Sequence, residues 1–469
     1  MTRGERIHVV GIAGSGAAGT ARLVHDAGAV VDGCDLDAPS PYTPPLDAAG
    51  IEYVVGHDPA HLAGVDRVAI SPALRAVAGH AELDAAGAAG LPILTWQALL
   101  GELMSAPGRI GLAVTGTHGK STTTALLGHL LVVAGLDPTV EVGAVVTAWG
   151  GSIRAGAGAP FLVEADEFGG NFLNYHPAIA VVTNVEMDHP DAFADRDAVL
   201  DAFEQFVRGM APHPAVGARL LVAAADDPGV DDLVARLADW EGRIVRYGAT
   251  GEIGAADVSF DRDGTTFWLW DRRWRMGLAG AHNVANATAA LVVARALGAD
   301  LDHLAEGLRT FAGAGRRMEL IADTPTVTIY DDYGHHPTEV RAALAAARQR
   351  LGPGRRLWAA FEPHMYSRTA LLLDEFSTAF VDADEVVVAD IFASRDTPAA
   401  MASTSAEALA DAIERATGTP ALATGDVDTT TEYLATHLGD GDAVLVMGAG
   451  KSYRIARDLA ARLAPRGAA

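Results

Sequence analysis

Short apolar runs alternate with longer alanine-rich stretches along most of the chain. Up to about residue 105 the runs are "RIHVVGIAG", "AVVDGCDL", "EYVVG", "DRVAISPAL" and "LPILT". Between them lie segments with helical spacing, such as "AAGTARLVHDAG";. That alternation predicts a parallel sheet with helices on both faces. "SAPGR" reads as a linker, and a larger α/β region starts at "IGLAVTG", with further strands in "PFLVEAD" and "AIAVVTNV";. Inside it, "VSFDRDGTTFWLWDRRWRMGL" predicts a hairpin around Asp-Gly;. After "FAGAGRRM" the alternation restarts with "TVTIYDDYG", "RLWAAFEP", "EVVVADIF" and "AVLVMGAG", and with helices such as "PTEVRAALAAARQRL".

At 469 residues the chain is long enough for about three domains;. Its 49% hydrophobic content is ample for several cores;. The apolar stretches are too short to span a membrane, and the N-terminus enters a strand without a secretory pattern;. A lone cysteine, Cys34, excludes an intramolecular disulfide framework and suits a reducing compartment, so a cytoplasmic protein is expected;. A formal charge of −25 argues against a nucleic-acid partner, yet leaves room for small anions held by glycine loops and helix N-termini;.

Two loops have that character. The first, Gly14-x-Gly16-x-x-Gly19, follows an apolar run and precedes a helix, with Asp35 ending the next run. By itself this is the dinucleotide-binding pattern, in which the acid holds a ribose. The second is "GTHGKST", where Gly116 and Gly119 flank a turn and Lys120 and Ser121 open a helix. The glycines let backbone N–H groups approach a phosphate, Lys120 supplies charge, and the Ser121 hydroxyl can ligate Mg²⁺. Val114 stands where a standard P-loop has its first glycine, so this is a shortened variant.

Glu164, Asp166 and Glu167 end one predicted strand. Asn184, Glu186, Asp188, His189 and Asp191 end another. Ligands of open α/β sheets gather at such strand ends, and carboxylates meeting a nucleotide there suit Mg²⁺. Further along come His282, Asn283 and Asn286 at a helix start, then Arg316 and Arg317, then Asp331, Asp332, His335 and His336, and last His364, Tyr366 and Arg368. Helix capping and solvated loops would account for each of these groups alone. Their recurrence at strand ends and helix starts favours a site.

Nine strings occur in one order: "GIAGSGAAG", "GTHGKSTTT", "EADE", "TNVEMDH", "HNVANA", "GRRM", "DDYGHHPTEV", "FEPHMYSRT" and "DIFASRD". Together, and over essentially the whole chain, they resemble the Mur ligases, ATP-dependent enzymes that add amino acids to the peptidoglycan precursor. The resemblance implies an α/β protein of three domains. Residues 1–106 would form a Rossmann-like domain for the UDP moiety, 107–313 a central P-loop ATPase with a mostly parallel sheet, and 314–469 a C-terminal Rossmann-like domain. The first loop would then hold a UDP-sugar and the second ATP.

Carried over by resemblance, Gly116, Thr117, His118, Gly119, Lys120, Ser121 and Thr122 wrap the ATP phosphates. Ser121, Glu164 and His189 hold Mg²⁺, with two ions expected. His282, Asn283 and Asn286 border the adenine, while Arg317, Asp331 and Asp332 reach the phosphates and ribose. Gly14, Ser15, Gly16, Asp35 and Ser71 contact the UDP-sugar, and His335, His336 and Arg368 face the incoming amino acid. Lys120, Glu164, His189, His335 and Arg368 are the catalytic set, with His335 or a carboxylate as base. The implied reaction joins L-alanine to the carboxylate of UDP-N-acetylmuramate through an acyl phosphate, in a monomer or homodimer without nucleic-acid or membrane partners.

Some positions depart from the pattern: Ala281 precedes "HN", "GAGK" with Lys451 replaces "GAGD", "EFGGNFL" replaces "ESDASFL", and Met365 replaces an arginine of some relatives. The last bears on amino-acid selectivity. Three other readings stay open: a recycling ligase that attaches a preformed peptide to the same sugar nucleotide, a non-catalytic homologue that binds it, and an NAD-dependent oxidoreductase. The oxidoreductase leaves Lys120, Glu164 and His189 unexplained.

Overall fold

The computed structural model describes residues 3–40, 42–72, 74, 79–352 and 354–463. Two compact units divide it: one of residues 1–186, 196–252 and 289–307, the other of residues 187–195, 253–288 and 308–469.

The first unit holds two sheets. One has five parallel strands in the spatial order Glu52–Val55, Val30–Asp35, Arg6–Val10, Arg67–Ile70 and Ile93–Thr95. These are the five runs read from the sequence. The order reverses direction at Arg6–Val10, so the crevice for a ligand opens beyond Val10, where the first glycine loop lies. The helix Ser15–Asp26 follows that loop and turns Ala17, Ala18, Ala21, Leu23 and Val24 inward.

The other sheet has seven strands, ordered Arg243–Tyr247, Leu220–Ala224, Ile179–Val182, Ile110–Thr115, Pro160–Glu164, Thr139–Val146 and Gly151–Arg154. Only the last pair is antiparallel. Every residue of Ile110–Thr115, Ile179–Val182 and Leu220–Ala224 is buried. Such unbroken apolar strands are what a sheet covered on both faces requires.

Within this unit two glycines seat the sheets' helices closely. A Cβ on Gly19 would fall 1.9 Å from Cδ1 of Ile153, so the helix Ser15–Asp26 rests directly on the edge strand Gly151–Arg154. A Cβ on Gly101 would fall 2.1 Å from the carbonyl oxygen of Asn174, which seats the helix Trp96–Met104 on the 3₁₀ segment Phe168–Asn174.

The second unit holds a six-stranded sheet in the order Glu319–Asp323, Val327–Asp332, Asp442–Met447, Leu357–Phe361, Glu385–Ala389 and Ala421–Gly425. It is parallel apart from its first pair. Leu344, Phe361, Phe376, Phe380 and Leu409 fill one face; Trp358, Leu434, Ile455 and Leu459 fill the other. The hairpin expected around Asp263 and Gly264 is one half of a three-stranded antiparallel meander, Ala256–Asp261, Gly264–Leu269 and Arg272–Met276. The meander turns a second time at Trp270 and Asp271, both with positive φ. A two-residue turn of that hand matches strand twist, although it lacks the glycine that usually signals it. Among the described residues no helix is long and apolar enough to cross a membrane.

Candidate functional site

Both glycine loops leave the carboxyl ends of central strands, and both belong to the first unit. In the first, Gly11 takes a φ of +83°, and its N–H donates to the Cys34 carbonyl at 2.8 Å. Gly14 caps the helix Ser15–Asp26, so the N–H groups of Ser15 and Gly16 fall in its first turn, where no intrahelical acceptor exists;. Gly16 has a separate constraint, since a Cβ there would lie 2.4 Å from the Trp96 ring. Asp35, expected to hold a ribose, here accepts from the N–H groups of Ala13 (2.9 Å) and Asp37 (3.2 Å) and so shapes the loop itself. Ser71 begins the neighbouring strand exit, with its N–H on the Val10 carbonyl.

The second loop is held from inside. Gly116 has a φ of +134°, and a Cβ would strike Thr183 Oγ1 at 2.1 Å. Asn184 accepts from the His118 N–H at 2.7 Å and donates to the His118 carbonyl at 3.1 Å. Thr117 Oγ1 accepts from the Glu186 N–H at 2.8 Å, and Thr122 is buried one turn into the helix Lys120–Val133. The "TNVE" segment is thus the brace of the second glycine loop.

Lys120 folds back over this loop. Its Nζ donates to the carbonyls of Gly116 (2.7 Å) and Thr117 (3.1 Å) and meets Glu167 Oε2 at 2.7 Å. Against the cost of burial, Glu167 and Asp166 hold the ammonium above its ordinary range. Burial, reinforced by Asp166 and opposed by Lys120, pushes Glu167 up to about 7. Ser121 Oγ donates to Glu164 Oε1 at 2.9 Å, and Glu164 Oε2 accepts from the Gly143 N–H at 2.7 Å. The hydroxyl–carboxylate pair is a hard-oxygen donor set of two, which fits Mg²⁺ and leaves its other positions to phosphate oxygens and water.

A cleft opens beside the first loop and reaches the carboxylate that partners Ser121. Ser15, Gly16, Trp96 and Gln97 line one side; Glu141, Glu164, Asp166 and Tyr175 line the other. Glu141 was not singled out by sequence reasoning. Burial and the nearby Glu164 charge push its carboxyl well above the carboxylate range, and its Oε2 is buried without a hydrogen-bond partner. A charged residue interrupting the apolar run "TVEVGAVV" was the available signal.

The second unit gathers the remaining groups. Asp331 and Asp332 end a fully buried strand. Asp331 accepts from Arg316 Nε at 3.1 Å, and Asp332 accepts from the N–H groups of Met318 (2.8 Å) and Gly334 (2.7 Å). Burial, against Arg316, pushes Asp331 up to about 6. The Arg316 and Arg317 guanidinium groups both lie over the Tyr333 ring, and Arg317 also comes within 3.8 Å of Glu339.

His335 and His336 separate in role. His336 caps the helix Pro337–Leu351, accepting from the Thr338 N–H, while Glu339 accepts from the His336 N–H to complete a capping box;. His335 packs edge-on against His364, and burial pushes it down to about 3. Arg368 is buried, donating from Nε to Asp188 at 2.8 Å and contacting His364 Nδ1 at 3.0 Å through Nη1. Although burial opposes it, Arg368 holds Asp188 far below the usual carboxylate range. His189 stands beside Asp188 at 3.8 Å with a φ of +53°. Met365 is buried at the start of the same short helix, Tyr366–Leu371.

At the mouth of the helix Ala281–Ala296, Asn283 Nδ2 donates to the Ala279 carbonyl (2.7 Å), and Asn286 Nδ2 to Asn283 Oδ1 (3.3 Å). Burial pushes His282 down to about 4.

The depressed His335 carries a sign for stability. Its folded value lies below the unfolded one near 6.5, so acid puts a proton on the unfolded chain that the folded chain refuses. Stability is therefore lost as pH falls below about 6.5, and His335→Gln should remove about 1.4 kcal/mol per pH unit of that loss between roughly pH 6 and 4. Urea unfolding of both proteins at pH 7 and pH 5 checks this; parallel losses would mean His335 titrates normally.

Three family profiles match the chain: "Mur ligase family, catalytic domain" at residues 6–107, "Mur ligase middle domain" at 163–294, and "Mur ligase, glutamate ligase domain" at 316–450. The chain is 38% identical to the UDP-N-acetylmuramate–L-alanine ligase of Mycolicibacterium vanbaalenii, over 98% of this chain and 97% of that one. It is also similar to the crystal structure of the UDP-N-acetylmuramate–alanine ligase from Thermotoga maritima, with a TM-score of 0.78 and 26% identity over 97% of this chain and 98% of that one. A murein peptide ligase from Psychrobacter arcticus superposes with a TM-score of 0.69 and 26% identity, covering 99% of this chain and all of that one.

Proposed function

The chain belongs to the Mur ligase family, and from that premise we propose that it joins L-alanine to the carboxylate of UDP-N-acetylmuramate with cleavage of ATP to ADP and phosphate. The observation that carries this reading is the cleft whose walls are the first glycine loop on one side and Glu164, the partner of Ser121, on the other. One loop takes the sugar nucleotide and the other ATP, so the substrate carboxylate and the γ-phosphate meet between them.

A carboxylate is a poor electrophile, and transfer of the γ-phosphoryl to it gives an acyl phosphate. Lys120 exchanges Glu167 for phosphate oxygens and neutralises charge as it develops. Ser121 and Glu164 would hold a Mg²⁺, which supplies further neutralisation when bound. His189 offers nitrogen where Mg²⁺ prefers oxygen, so its part in a second metal site rests on the resemblance alone.

The alanine amine then attacks the acyl carbon, the tetrahedral intermediate collapses, and phosphate leaves. At a value of about 3, His335 is a weak proton acceptor at neutral pH, which favours a carboxylate as base;. The Asn283 and Asn286 pair borders the adenine, and Arg317, Asp331 and Asp332 serve the nucleotide from the C-terminal domain, which spans residues 314–469 in this reading.

The test is phosphate release from ATP with Mg²⁺ and UDP-N-acetylmuramate, comparing L-alanine, L-serine, glycine and a muropeptide tripeptide. Release that requires both the sugar nucleotide and L-alanine is expected. Release with the tripeptide alone would overturn the assignment in favour of a peptide-recycling enzyme. Gly16→Ala probes the first loop, because its methyl group must displace the Trp96 ring. Overpacking of that kind costs about 1–3 kcal/mol, and borne by the bound state it should lower sugar-nucleotide affinity by about 5- to 150-fold. Calorimetric titration reads the drop, and an unchanged affinity would take Trp96 out of the binding wall.

A further inference from the structure

Away from the cleft, one face of the five-stranded sheet carries a second cluster of metal-binding side chains. His8 lies on the strand Arg6–Val10 and Cys34 on Val30–Asp35; their registers, His8 opposite Asp32 and Val10 opposite Cys34, put all these side chains on one face;. His61 comes from the 3₁₀ segment Pro59–Leu62, and Glu82 from the first turn of the helix Ala81–Ala88. His8 Nε2 is 3.0 Å from Glu82 Oε1 and 3.4 Å from Cys34 Sγ; Cys34 Sγ is 3.1 Å from Glu82 Oε2; His61 Nδ1 is 3.1 Å from Glu82 Oε1. All four donor atoms lie within 4.8 Å of one another.

We propose that His8 Nε2, Cys34 Sγ, His61 Nδ1 and a carboxylate oxygen of Glu82 form a structural Zn²⁺ site. Tetrahedral zinc with bonds of about 2.0–2.3 Å separates its donors by about 3.3–3.8 Å, close to the spacings present. One thiolate and two imidazoles select zinc over Mg²⁺ or Ca²⁺. With a thiolate and a carboxylate the ion's charge is balanced in full, as a buried site requires: Glu82 and Cys34 are fully buried and His8 nearly so;. The four-ligand set is closed, which makes the site structural rather than catalytic.

The surroundings agree. Asp32 Oδ1 meets His8 Nδ1 at 2.6 Å, the carboxylate–histidine arrangement that fixes the other ring nitrogen on a metal;. His57 Nδ1, 3.1 Å from Cys34 Sγ, flanks the cluster, and Val10, Val68 and Ile70 continue it into an apolar core. Zinc would tie together two strands, a 3₁₀ segment and a helix. The Cys34 carbonyl also accepts from the N–H groups of Gly11 and Ile12, so the ion would anchor the root of the first glycine loop.

The experiment uses the full-length protein. Elemental analysis after purification without chelator should find stoichiometric zinc. After stripping, Co²⁺ should restore a thiolate-to-metal charge-transfer band that Cys34→Ala loses. Zn²⁺ should raise the melting temperature of the stripped wild type but not of Glu82→Gln, and Asp32→Asn should weaken zinc affinity by about 10- to 100-fold. Sub-stoichiometric zinc together with no charge-transfer band on Co²⁺ titration of the folded wild type would overturn the proposal, whatever the variants do.

Discussion

Replacing Lys120 by alanine is expected to lower ATP-dependent phosphate release by about 10²- to 10³-fold, the loss seen when a preorganised charge is taken from a developing oxyanion. The side chain lies over the second glycine loop, held by two loop carbonyls and by Glu167, so only the Glu167 contact has to be traded for phosphate oxygens during the reaction. Sugar-nucleotide affinity should stay within about twofold, because the first loop is built from a separate sheet;. Titration of both ligands beside the phosphate-release assay tests the two halves together. A variant that keeps its turnover would remove Lys120 from the catalytic set, and one that loses both affinities would point to a collapsed loop.

Arg368→Ala should cost about 3–5 kcal/mol of unfolding free energy, in addition to any loss of activity. The guanidinium and the Asp188 carboxylate are both buried, so truncating one strands the other's charge away from water. The double replacement Arg368→Met with Asp188→Leu should recover most of that stability, since an apolar pair of similar volume leaves no orphan charge. Urea unfolding of the single and double variants decides. A single-variant loss below about 1 kcal/mol would mean the pair behaves as a solvated one.

Features fixed by local pattern were legible in the sequence. The runs "IGLAVTG" and "AIAVVTNV" became buried strands because an uninterrupted apolar stretch in an α/β protein has few other places to go;. "GTHGKST" was legible for a similar reason, as glycine spacing and a following helix are local properties. The capping role of His336 was also within reach, because "HPTE" places a glutamate three residues after the cap;.

What escaped depends on contacts between distant residues. Arg368 finds Asp188 across 180 positions, and nothing in either neighbourhood announces the other. The edge strands Gly151–Arg154 and Ala421–Gly425 were equally silent, being short and only half buried. Arg316 and Arg317 are adjacent and share the Tyr333 ring, yet Arg316 also reaches Asp331 and Arg317 approaches Glu339, partners that the sequence does not announce. Cys34 was read for what its solitude excludes; the sheet register brings His8 beside it, and His61 and Glu82 arrive from a 3₁₀ segment and a helix that only the fold brings back over the sheet.

The bare α-carbon of Gly19 has one more consequence. It is the point where the helix behind the first glycine loop meets the sheet that carries the second, with only the Ile153 side chain between the two backbones. The spacing of the two loops is therefore gauged by one isoleucine side chain seated on a bare α-carbon. A larger residue that Ile153 did not yield to would act as a shim, widening the gap between the two loops.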